Sequence, residues 1–281
     1  MRSGPISGVL RTVSRLEQAI FRGDWPARLS RRLGLQGRLI VRRHRIDLAR
    51  AGVAPPLRIG FCTDFHSGPM TSRELLLEAC RRLAETRPDL VLFGGDFVDS
   101  RPEQLTWLAP RLGEVQAPLG RFAVLGNHDQ WTDARHVAEL LDEAGIQVLN
   151  NRNARLPPPF ESAWVCGLDD HLEGTPDPEA AFAGADGARI ALMHSPSGIL
   201  DIGSHPFDIA FCGHTHGGQI ALPGGTPILA PGGALCRQYS RGRFELPDGR
   251  TLLVSTGVGL TGLPVRLFAD PEILVCEVHG L

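Results

Sequence analysis

Five short polar segments, spread over about 150 residues, each follow an apolar run typical of a β-strand. Their side chains offer carboxylate, amide or imidazole groups, and none is an obvious thiolate ligand. In chain order the segments are Asp64-Phe65-His66, Gly95-Asp96, Gly126-Asn127-His128-Asp129, His194 and Gly213-His214-Thr215-His216. Hard oxygen and imidazole ligands suit divalent cations, and a pair of such cations can clamp a phosphoryl group. The segments therefore predict a two-metal site that acts on a phosphate.

Each of these residues, taken singly, has an ordinary structural explanation as a helix cap, a turn residue or a packed histidine. Together they favour a site, because ligands of open α/β sheets bind at the carboxyl ends of the strands. The other histidines do not follow a strand in this way and are left out: His44, His136, His171, His205 and His279.

The elements that must position these segments can be predicted from the pattern of apolar residues. Helical periodicity and capping residues predict helices over 72–85, 103–115 and 133–144, with Ser72 as an N-cap and with Pro110 expected either to kink or to split the second helix. Short apolar runs predict strands over 57–62, 89–93, 122–125, 146–149, 164–167, 189–193, 208–212, 251–255 and 273–278. A β-α-β-α start with a strand-rich finish predicts an α/β (α+β) fold, in which two sheets pack face to face and are flanked by helices.

Composition divides the 281 residues into a basic arm and a globular body. Residues 1–50 carry twelve arginines against three acidic residues, whereas the remainder is acidic and the chain as a whole has a net charge of -2. We therefore predict an arm and linker over 1–56 and one domain over 57–281. Residues 150–188, rich in Pro, Gly and Asp, form either a substrate loop or an inert surface excursion. The six cysteines show no pairing framework and are expected to be reduced core residues.

Residues 6–21 have the pattern of an amphipathic helix, with an apolar arc opposite Arg11, Arg15 and Arg22. Such a helix either lies in a membrane interface or packs on the domain or a partner subunit. We expect residues 6–22 to bind an anionic membrane surface. The sequence shows neither an apolar span nor a secretory signal, so the expected location is cytoplasmic, peripheral at the inner face of the cell membrane.

The five segments resemble the signature of the calcineurin-like metallophosphoesterases, which is D-x-H, G-D, G-N-H-D/E, H and G-H-x-H. All five motifs occur in order, and the resemblance covers roughly residues 57–279. It implies a β-sandwich flanked by helices and two divalent metal ions, which the oxygen and nitrogen ligands leave open as Mn, Fe, Zn or Co. It also implies a first metal bound by Asp64, His66, Asp96 and His216, and a second bound by Asp96, Asn127, His194 and His214.

The same resemblance implies that His128 is not a ligand but meets the substrate. In that position it can donate a proton or a hydrogen bond to a phosphoryl or leaving oxygen. Asp129 is expected to orient His128, with a simple turn residue as the alternative.

Further segments are similar to a bacterial YkuE/YaeI-like branch, namely 214–219, 255–259 and 264–266. Some members of that branch are membrane-associated, and some hydrolyse the pyrophosphate of UDP-2,3-diacylglucosamine in lipid A synthesis. The leading hypothesis is therefore a phosphodiesterase or pyrophosphatase that acts on a lipid-linked or nucleotide-sugar phosphate at the membrane surface.

Two alternatives to this hypothesis stay open. One is a soluble phosphodiesterase for cyclic nucleotides or other small phosphodiesters, and the other is an inactive scaffold with the same fold. Arg266 is a candidate phosphate contact or a surface ion pair, and Trp131 a candidate pocket or core residue. No nucleic-acid partner is expected, because the body is acidic.

Overall fold

The computed structural model of the protein describes residues 24–48, 55–228 and 230–281. The helix predicted over 6–21, with its proposed membrane contact, lies outside these residues. Within the described ranges, no helix combines the length and the apolar character needed to cross a bilayer.

Two six-stranded sheets form the centre of the described part of the chain. The first has the order β1-β12-β2-β3-β4-β5 and the second the order β10-β11-β9-β8-β7-β6. The strands are β1 (Ile40–Asp47), β2 (Leu57–Cys62), β3 (Leu90–Phe93), β4 (Arg121–Ala123), β5 (Gln147–Val148), β6 (Arg152–Arg155), β7 (Ala163–Gly167), β8 (Ala188–Leu192), β9 (Ile209–Cys212), β10 (Gly242–Glu245), β11 (Thr251–Val254) and β12 (Glu272–His279).

Parallel pairing sets the direction of the strands that precede the polar segments. In the first sheet β2, β3, β4 and β5 run parallel. In the second sheet, β7, β8, β9 and β11 run parallel to one another. Neighbouring parallel strands end at the same edge of a sheet, so each sheet brings its own polar segments together at one edge.

Helices cover the outer faces of the two sheets. They are α1 (Trp25–Arg32), α2 (Arg73–Glu85), α3 (Ala109–Gly113), α4 (Asn127–Thr132), α5 (Ala134–Glu143), α6 (Pro178–Phe182), α7 (Gly198–Ile202) and α8 (Gly233–Gln238), with 3-10 turns at Pro102–Leu105 and His216–Gly218. One core cluster joins the first sheet to α2, α3 and α5, and another joins the second sheet to α6 and α7.

A third core cluster fills the space between the sheets. Phe61 of β2 meets Phe211 of β9 there, with ring centroids 5.3 Å apart. Burying such aromatic pairs and their aliphatic neighbours supplies much of the stability of a sandwich. The predicted two-sheet sandwich flanked by helices is thus confirmed. All six cysteines are buried and carry free thiols.

One local feature follows an alternative left open by the sequence, and another differs from the prediction. The helix predicted around Pro110 is split into the 3-10 turn Pro102–Leu105 and the short α3, because a proline cannot continue the backbone hydrogen bonds of a helix. Residues 40–47, on the arm side of the predicted boundary, form β1. Because of its arginines, β1 lacks the apolar pattern by which the other strands were predicted. Arg42 of β1 pairs with the buried Glu272 of β12 at 2.9 Å. Charged side chains are common on edge strands.

Candidate metal centre

The polar segments meet where the strands of both sheets end. Asp64 and His66 follow β2, Asp96 follows β3, and Asn127 opens α4 after β4. His194 follows β8, and the pair His214 and His216 follows β9. All seven side chains are buried. The structure therefore brings every sequence-predicted ligand into one place.

Two groups of three side chains are arranged as metal ligands, namely Asp64, His66 and His216, and Asp96, His194 and His214. Within each group the ligand atoms lie within 4.8 Å of one another. The Nε2 atoms of His66 and His216 are 3.0 Å apart, and His194 Nε2 lies 3.2 Å from His214 Nδ1. Asn127 Oδ1 joins the second group at 3.1 Å from His194 Nε2.

Asp96 connects the two groups. Its Oδ2 atom is 3.5 Å from His66 Nε2 and 3.3 Å from His194 Nε2. This is the position expected of a carboxylate that bridges two cations. In a further group, His66, Asp96 and His128 also have ligand atoms within 4.8 Å of one another. The Nδ1 of His128, however, is already 2.7 Å from the Asp99 carbonyl oxygen.

The protonation of these side chains fits bound cations. Burial lowers the pKa of His66 and of His216 well below the usual value. The neutral imidazole is the form in which a histidine binds a metal ion. His194 differs, because Asp96 and Asp64 raise its pKa although burial opposes them. Metal binding must displace that proton.

The carboxylates of the centre are also perturbed. Burial raises the pKa of Asp64 to about 6, and burial together with Asp96 raises that of Asp129 to about 7. For Asp96 burial also raises the pKa, but His194 and His128 outweigh it and the net shift is strongly downward. The bridging carboxylate therefore has the lowest pKa of these three.

Five of the ligands have a left-handed backbone, with φ of 54° at Asp64, 40° at His66, 53° at Asp96, 69° at His214 and 51° at His216. Non-glycine residues in this region cost free energy and cluster at functional sites. Flanking glycines provide the room: a Cβ on Gly126 would lie 2.2 Å from Asp96 Oδ1, and one on Gly213 would lie 2.1 Å from Asp64 Oδ2. The fold thus keeps space for closely spaced ligands.

Hydrogen bonds outside the two groups fix the orientation of the ligands. Thr63 donates its hydroxyl to Asp64 Oδ2 at 2.8 Å, and the backbone N–H of His214 donates to the same carboxylate at 3.0 Å. The Nδ1–H of His194 donates to the Gly94 carbonyl at 2.8 Å, which leaves Nε2 facing the centre. Such contacts set the tautomer and direction of metal-binding histidines.

His128 lies beside the first group. Its ring meets that of His66 edge-on, with centroids 4.5 Å apart, and meets the Trp131 ring at 4.4 Å. The Nδ1–H donates to the Asp99 carbonyl, so Nε2 is the nitrogen that remains for a substrate. Trp131 therefore lies next to the predicted catalytic histidine, packed on its ring.

Asp129 holds the segment that carries His128. Its carboxylate accepts backbone N–H groups from Phe97 at 2.9 Å, Val98 at 3.2 Å and Gly126 at 3.0 Å. These bonds join α4 to the chain that follows Asp96. Within the described part of the chain, the ring of His128 is held by Asp99 and not by the Asp129 carboxylate. Asp129 acts on His128 through the position of the helix.

Replacing Asp129 by asparagine is expected to lower the free energy of unfolding by about 1–3 kcal/mol. The asparagine amide has one acceptor oxygen in place of two, so at least one buried backbone N–H loses its partner. Thermal or urea unfolding measures the effect. Asp177→Asn is the matched control, because Asp177 caps α6 through one bond to Ala180 N and asparagine caps equally well. Equal stability of the two variants would contradict this role.

Arg266 is buried behind His216. Its Nη2 lies 3.2 Å from His216 Nδ1, and the guanidinium donates to the carbonyl oxygens of Gly259, Thr256, Ala269 and His216. Burial lowers the pKa of this guanidinium to about 10. With its donors directed at the backbone and at His216, Arg266 is placed to support a metal ligand.

Two acidic positions escaped sequence reasoning. Asp99 supplies the carbonyl that holds His128, and its carboxylate lies 3.9 Å from His66 Nδ1. Asp170 is buried and follows the end of β7, and its Oδ1 has no partner within the described residues. The strand-end position of Asp170 was visible in the sequence, since it is the same signal that identified Asp64 and His194.

Comparisons with known proteins agree with this geometry. Residues 57–218 match the family model of the calcineurin-like phosphoesterases. The chain is 32% identical over 220 residues to the uncharacterized metallophosphoesterase YkuE of Bacillus subtilis, with 76% of each chain covered. It is 32% identical over 244 residues to the phosphodiesterase YaeI of Escherichia coli, covering 84% of this chain and 87% of the relative.

A third relative is described as a transmembrane protein with a metallophosphoesterase domain, from Danio rerio. It is 32% identical over 233 residues, which cover 77% of this chain and 52% of the relative. The chain belongs to the calcineurin-like phosphoesterase family, as the order of its motifs predicted. It is a metal-dependent phosphoester hydrolase whose clustered aspartates and histidines suit a dinuclear metal site.

Proposed function

We propose that the protein is a phosphodiesterase or pyrophosphatase that acts at the membrane surface on a lipid-linked or nucleotide-sugar phosphate such as UDP-2,3-diacylglucosamine. In this proposal the enzyme is cytoplasmic and peripheral at the inner face of the cell membrane. The observation that carries the proposal is an exposed apolar face attached to the loops that hold the metal centre.

The chemistry required is hydrolysis of a phosphoester or phosphoanhydride bond. Two bound divalent cations would neutralise charge on the phosphoryl oxygens and make water nucleophilic near neutral pH. The Mn, Fe, Zn and Co ions all suit the aspartate, asparagine and histidine ligands, with manganese our expectation. Among the chain's own groups, His128 Nε2 is available to hydrogen-bond the substrate, because Nδ1 is engaged by the Asp99 carbonyl. The surrounding buried side chains hold it in place.

The apolar face consists of one side of α1 and two loops. Trp25 and Leu29 of α1 and Leu33 at its C-cap recur every fourth residue and are all exposed. The loops add the exposed side chains Leu222, Ile228, Leu263, Leu267 and Phe268. Such a concentration of large apolar side chains marks an interaction surface.

Hydrogen bonds and a backbone bridge make these three segments contiguous. The Ser30 hydroxyl of α1 donates to the Pro264 carbonyl, and Ile220 forms a β-bridge with Leu267. The face is also joined to the metal centre, because the Gln219 amide donates to the Leu263 carbonyl at 3.1 Å and Arg266 contacts His216. A substrate embedded in a bilayer under this face would be close to the ligands.

The charge around the face favours an anionic bilayer as its occupant. Arg32 and Arg38 are exposed beside α1, and residues 1–50 carry twelve arginines against three acidic residues. Basic residues near anionic lipid each contribute about 1 kcal/mol to membrane binding. The relative described as a transmembrane protein supports a membrane setting.

A cavity of about 910 Å³ lies between α1 and the loop that follows His66. Arg28 of α1 lines one side, and Ser67, Gly68 and Trp107 line the other. Its volume is that of a ligand pocket. In this proposal it receives part of a substrate that extends from the bilayer toward the first metal.

Removing the membrane contact is expected to reduce hydrolysis of the lipid substrate but not of a soluble one. We expect deletion of residues 1–23, or the triple variant Leu29→Gln, Leu263→Gln and Phe268→Gln, to slow hydrolysis of UDP-2,3-diacylglucosamine in phosphatidylglycerol vesicles at least about 10-fold. Each apolar side chain contributes about 1–3 kcal/mol on burial, and about 1.4 kcal/mol is tenfold. The kcat/KM for bis-p-nitrophenyl phosphate should not change.

The deletion stops before α1 so that β1 keeps its pairing with β12. Leu200→Gln is the control, since Leu200 is an exposed leucine outside the face. Equal activity of all variants on vesicles would contradict the membrane contact. Activity on cyclic nucleotides or small diesters alone would favour the soluble phosphodiesterase, whereas a metal-loaded enzyme without turnover on any ester would indicate an inactive scaffold.

A further inference from the structure

The loop that follows β7 ends at the same edge of the second sheet as the metal ligands. β7 is parallel to β8, and Gly167 at its end pairs with Leu192, shortly before His194. The loop carries Asp169, Asp170 and His171. Its position in the fold is therefore equivalent to that of the segments that supply ligands.

Hydrogen bonds attach this loop to α4, the helix that begins at the ligand Asn127. Asp169 Oδ1 accepts from the Gln130 amide of α4 at 2.8 Å and from the Asn150 amide at 2.7 Å. Asp170 Oδ2 accepts the backbone N–H groups of Leu172 and Glu173. The backbone on both sides of His171 is thus fixed with respect to the metal centre.

His171 itself is held by a carboxylate. Its Nδ1–H donates to Asp201 Oδ2 at 2.7 Å, and Asp201 belongs to α7, the helix that follows His194. This bond sets the ring orientation and makes Nε2 the second, available nitrogen. Within the described residues, His171 Nε2 has no hydrogen-bond partner. The ring is 28% exposed, so solvent can reach it.

The two histidines are held by different contacts. His128 packs against His66 of the first group, whereas the loop of His171 is attached to α4 and His171 itself to the helix that follows His194. Displacement at phosphorus has an entering and a leaving oxygen. A site with two imidazoles can therefore treat the two oxygens separately.

We propose that His171, oriented by Asp201, contacts the substrate and donates the Nε2 proton to the leaving oxygen. As the water oxygen forms its bond to phosphorus and releases a proton to solvent, the bond to the leaving oxygen breaks with its electron pair, and that oxygen takes the His171 proton. The ring keeps its Nδ1–H bond to Asp201 and regains the Nε2 proton from solvent. This assignment rests on the proposed phosphodiester hydrolysis.

A proton donor to the leaving oxygen can be recognised by its dependence on the leaving group. We expect His171→Ala to lower kcat/KM about 10²–10⁴-fold for a methyl phenyl phosphodiester, whose leaving group needs protonation. For methyl p-nitrophenyl phosphate, whose leaving group is a stable anion that needs no proton, kcat/KM of the variant should fall about threefold or less. A series of ring-substituted methyl aryl phosphates gives the slope of log kcat/KM against leaving-group pKa, which should steepen in the variant.

Asp201→Asn should steepen the slope in the same direction but less, because it keeps the ring packed while removing the charge. His205→Ala is the matched control, since His205 is a partly exposed histidine paired with Glu179 at 3.3 Å. Metal content and thermal unfolding of each variant check that the centre and the fold are intact.

Three results would overturn the assignment. If His171→Ala lowered kcat/KM equally for all esters, the His171–Asp201 pair would only hold the loop. If the variant kept full activity and an unchanged slope, His171 would have no part in the reaction. A slope change in His205→Ala as large as that in His171→Ala would make the effect unspecific. If the wild-type, metal-loaded enzyme hydrolyses none of the diesters, the proposed function itself fails, which is a distinguishable result.

Discussion

Asp96→Asn is expected to remove nearly all hydrolytic activity and to leave the protein with fewer than two bound metal ions. The reason is the position of Asp96 Oδ2, between His66 Nε2 and His194 Nε2 at 3.5 Å and 3.3 Å. An amide brings no negative charge to two cations. We expect a fall in kcat/KM of roughly 10³-fold or more, equivalent to about 4 kcal/mol in activation free energy.

Metal content by elemental analysis and turnover of bis-p-nitrophenyl phosphate measure the two effects together. Asp89→Asn is the matched control, because Asp89 precedes the same strand that Asp96 follows and bonds only to Arg58 N at 2.8 Å among the described contacts of its carboxylate. If Asp96→Asn bound two ions as tightly as the wild type, Asp96 would not be a bridging ligand.

His128→Ala is expected to give the opposite combination, with both metals retained and turnover lost. His128 donates its Nδ1–H to the Asp99 carbonyl and keeps Nε2 for the substrate, so its removal takes away a contact to the reacting group. General acid or base groups contribute about 10²–10⁴-fold, and kcat should fall within that range for esters with good and poor leaving groups alike.

The control for this variant is His136→Ala, which removes a histidine of α5 that pairs with Glu139 at 3.7 Å. Steady-state kinetics, metal content and the melting temperature are compared for the two variants. Full activity of His128→Ala at wild-type metal content would refute a catalytic role for His128.

The strands before the ligands were predictable because they are short apolar runs that end at polar residues. β2 and β9 illustrate this, since Phe61 and Phe211 mark both strands as core. Strand-end position and residue type indicated the candidate residues, and the family resemblance implied which seven of them are ligands. The alternation of strand and helix patterns was sufficient for the fold class.

Other features could not be derived from local sequence. β1 depends on pairing with β12 at the other end of the chain, and its charged residues resemble a solvated arm. The left-handed backbone at Asp64 and His66 results from tertiary contacts that override the ordinary preference of non-glycine residues. The role of Asp129 was also inaccessible, because its partners Phe97 and Val98 follow a different strand.

The pairing of β1 with β12 has a consequence for the order in which the protein is assembled during translation. Arg42 meets Glu272, which is 230 residues further along the chain. β1 cannot find its place in the sheet until the ribosome has synthesised almost the entire domain, and contacts of such long range form late. Until then β1 lacks β12, its pairing partner in the described sheet. Ser30 of α1 meets Pro264 over a similar separation in the chain, so α1 also reaches its final contacts late.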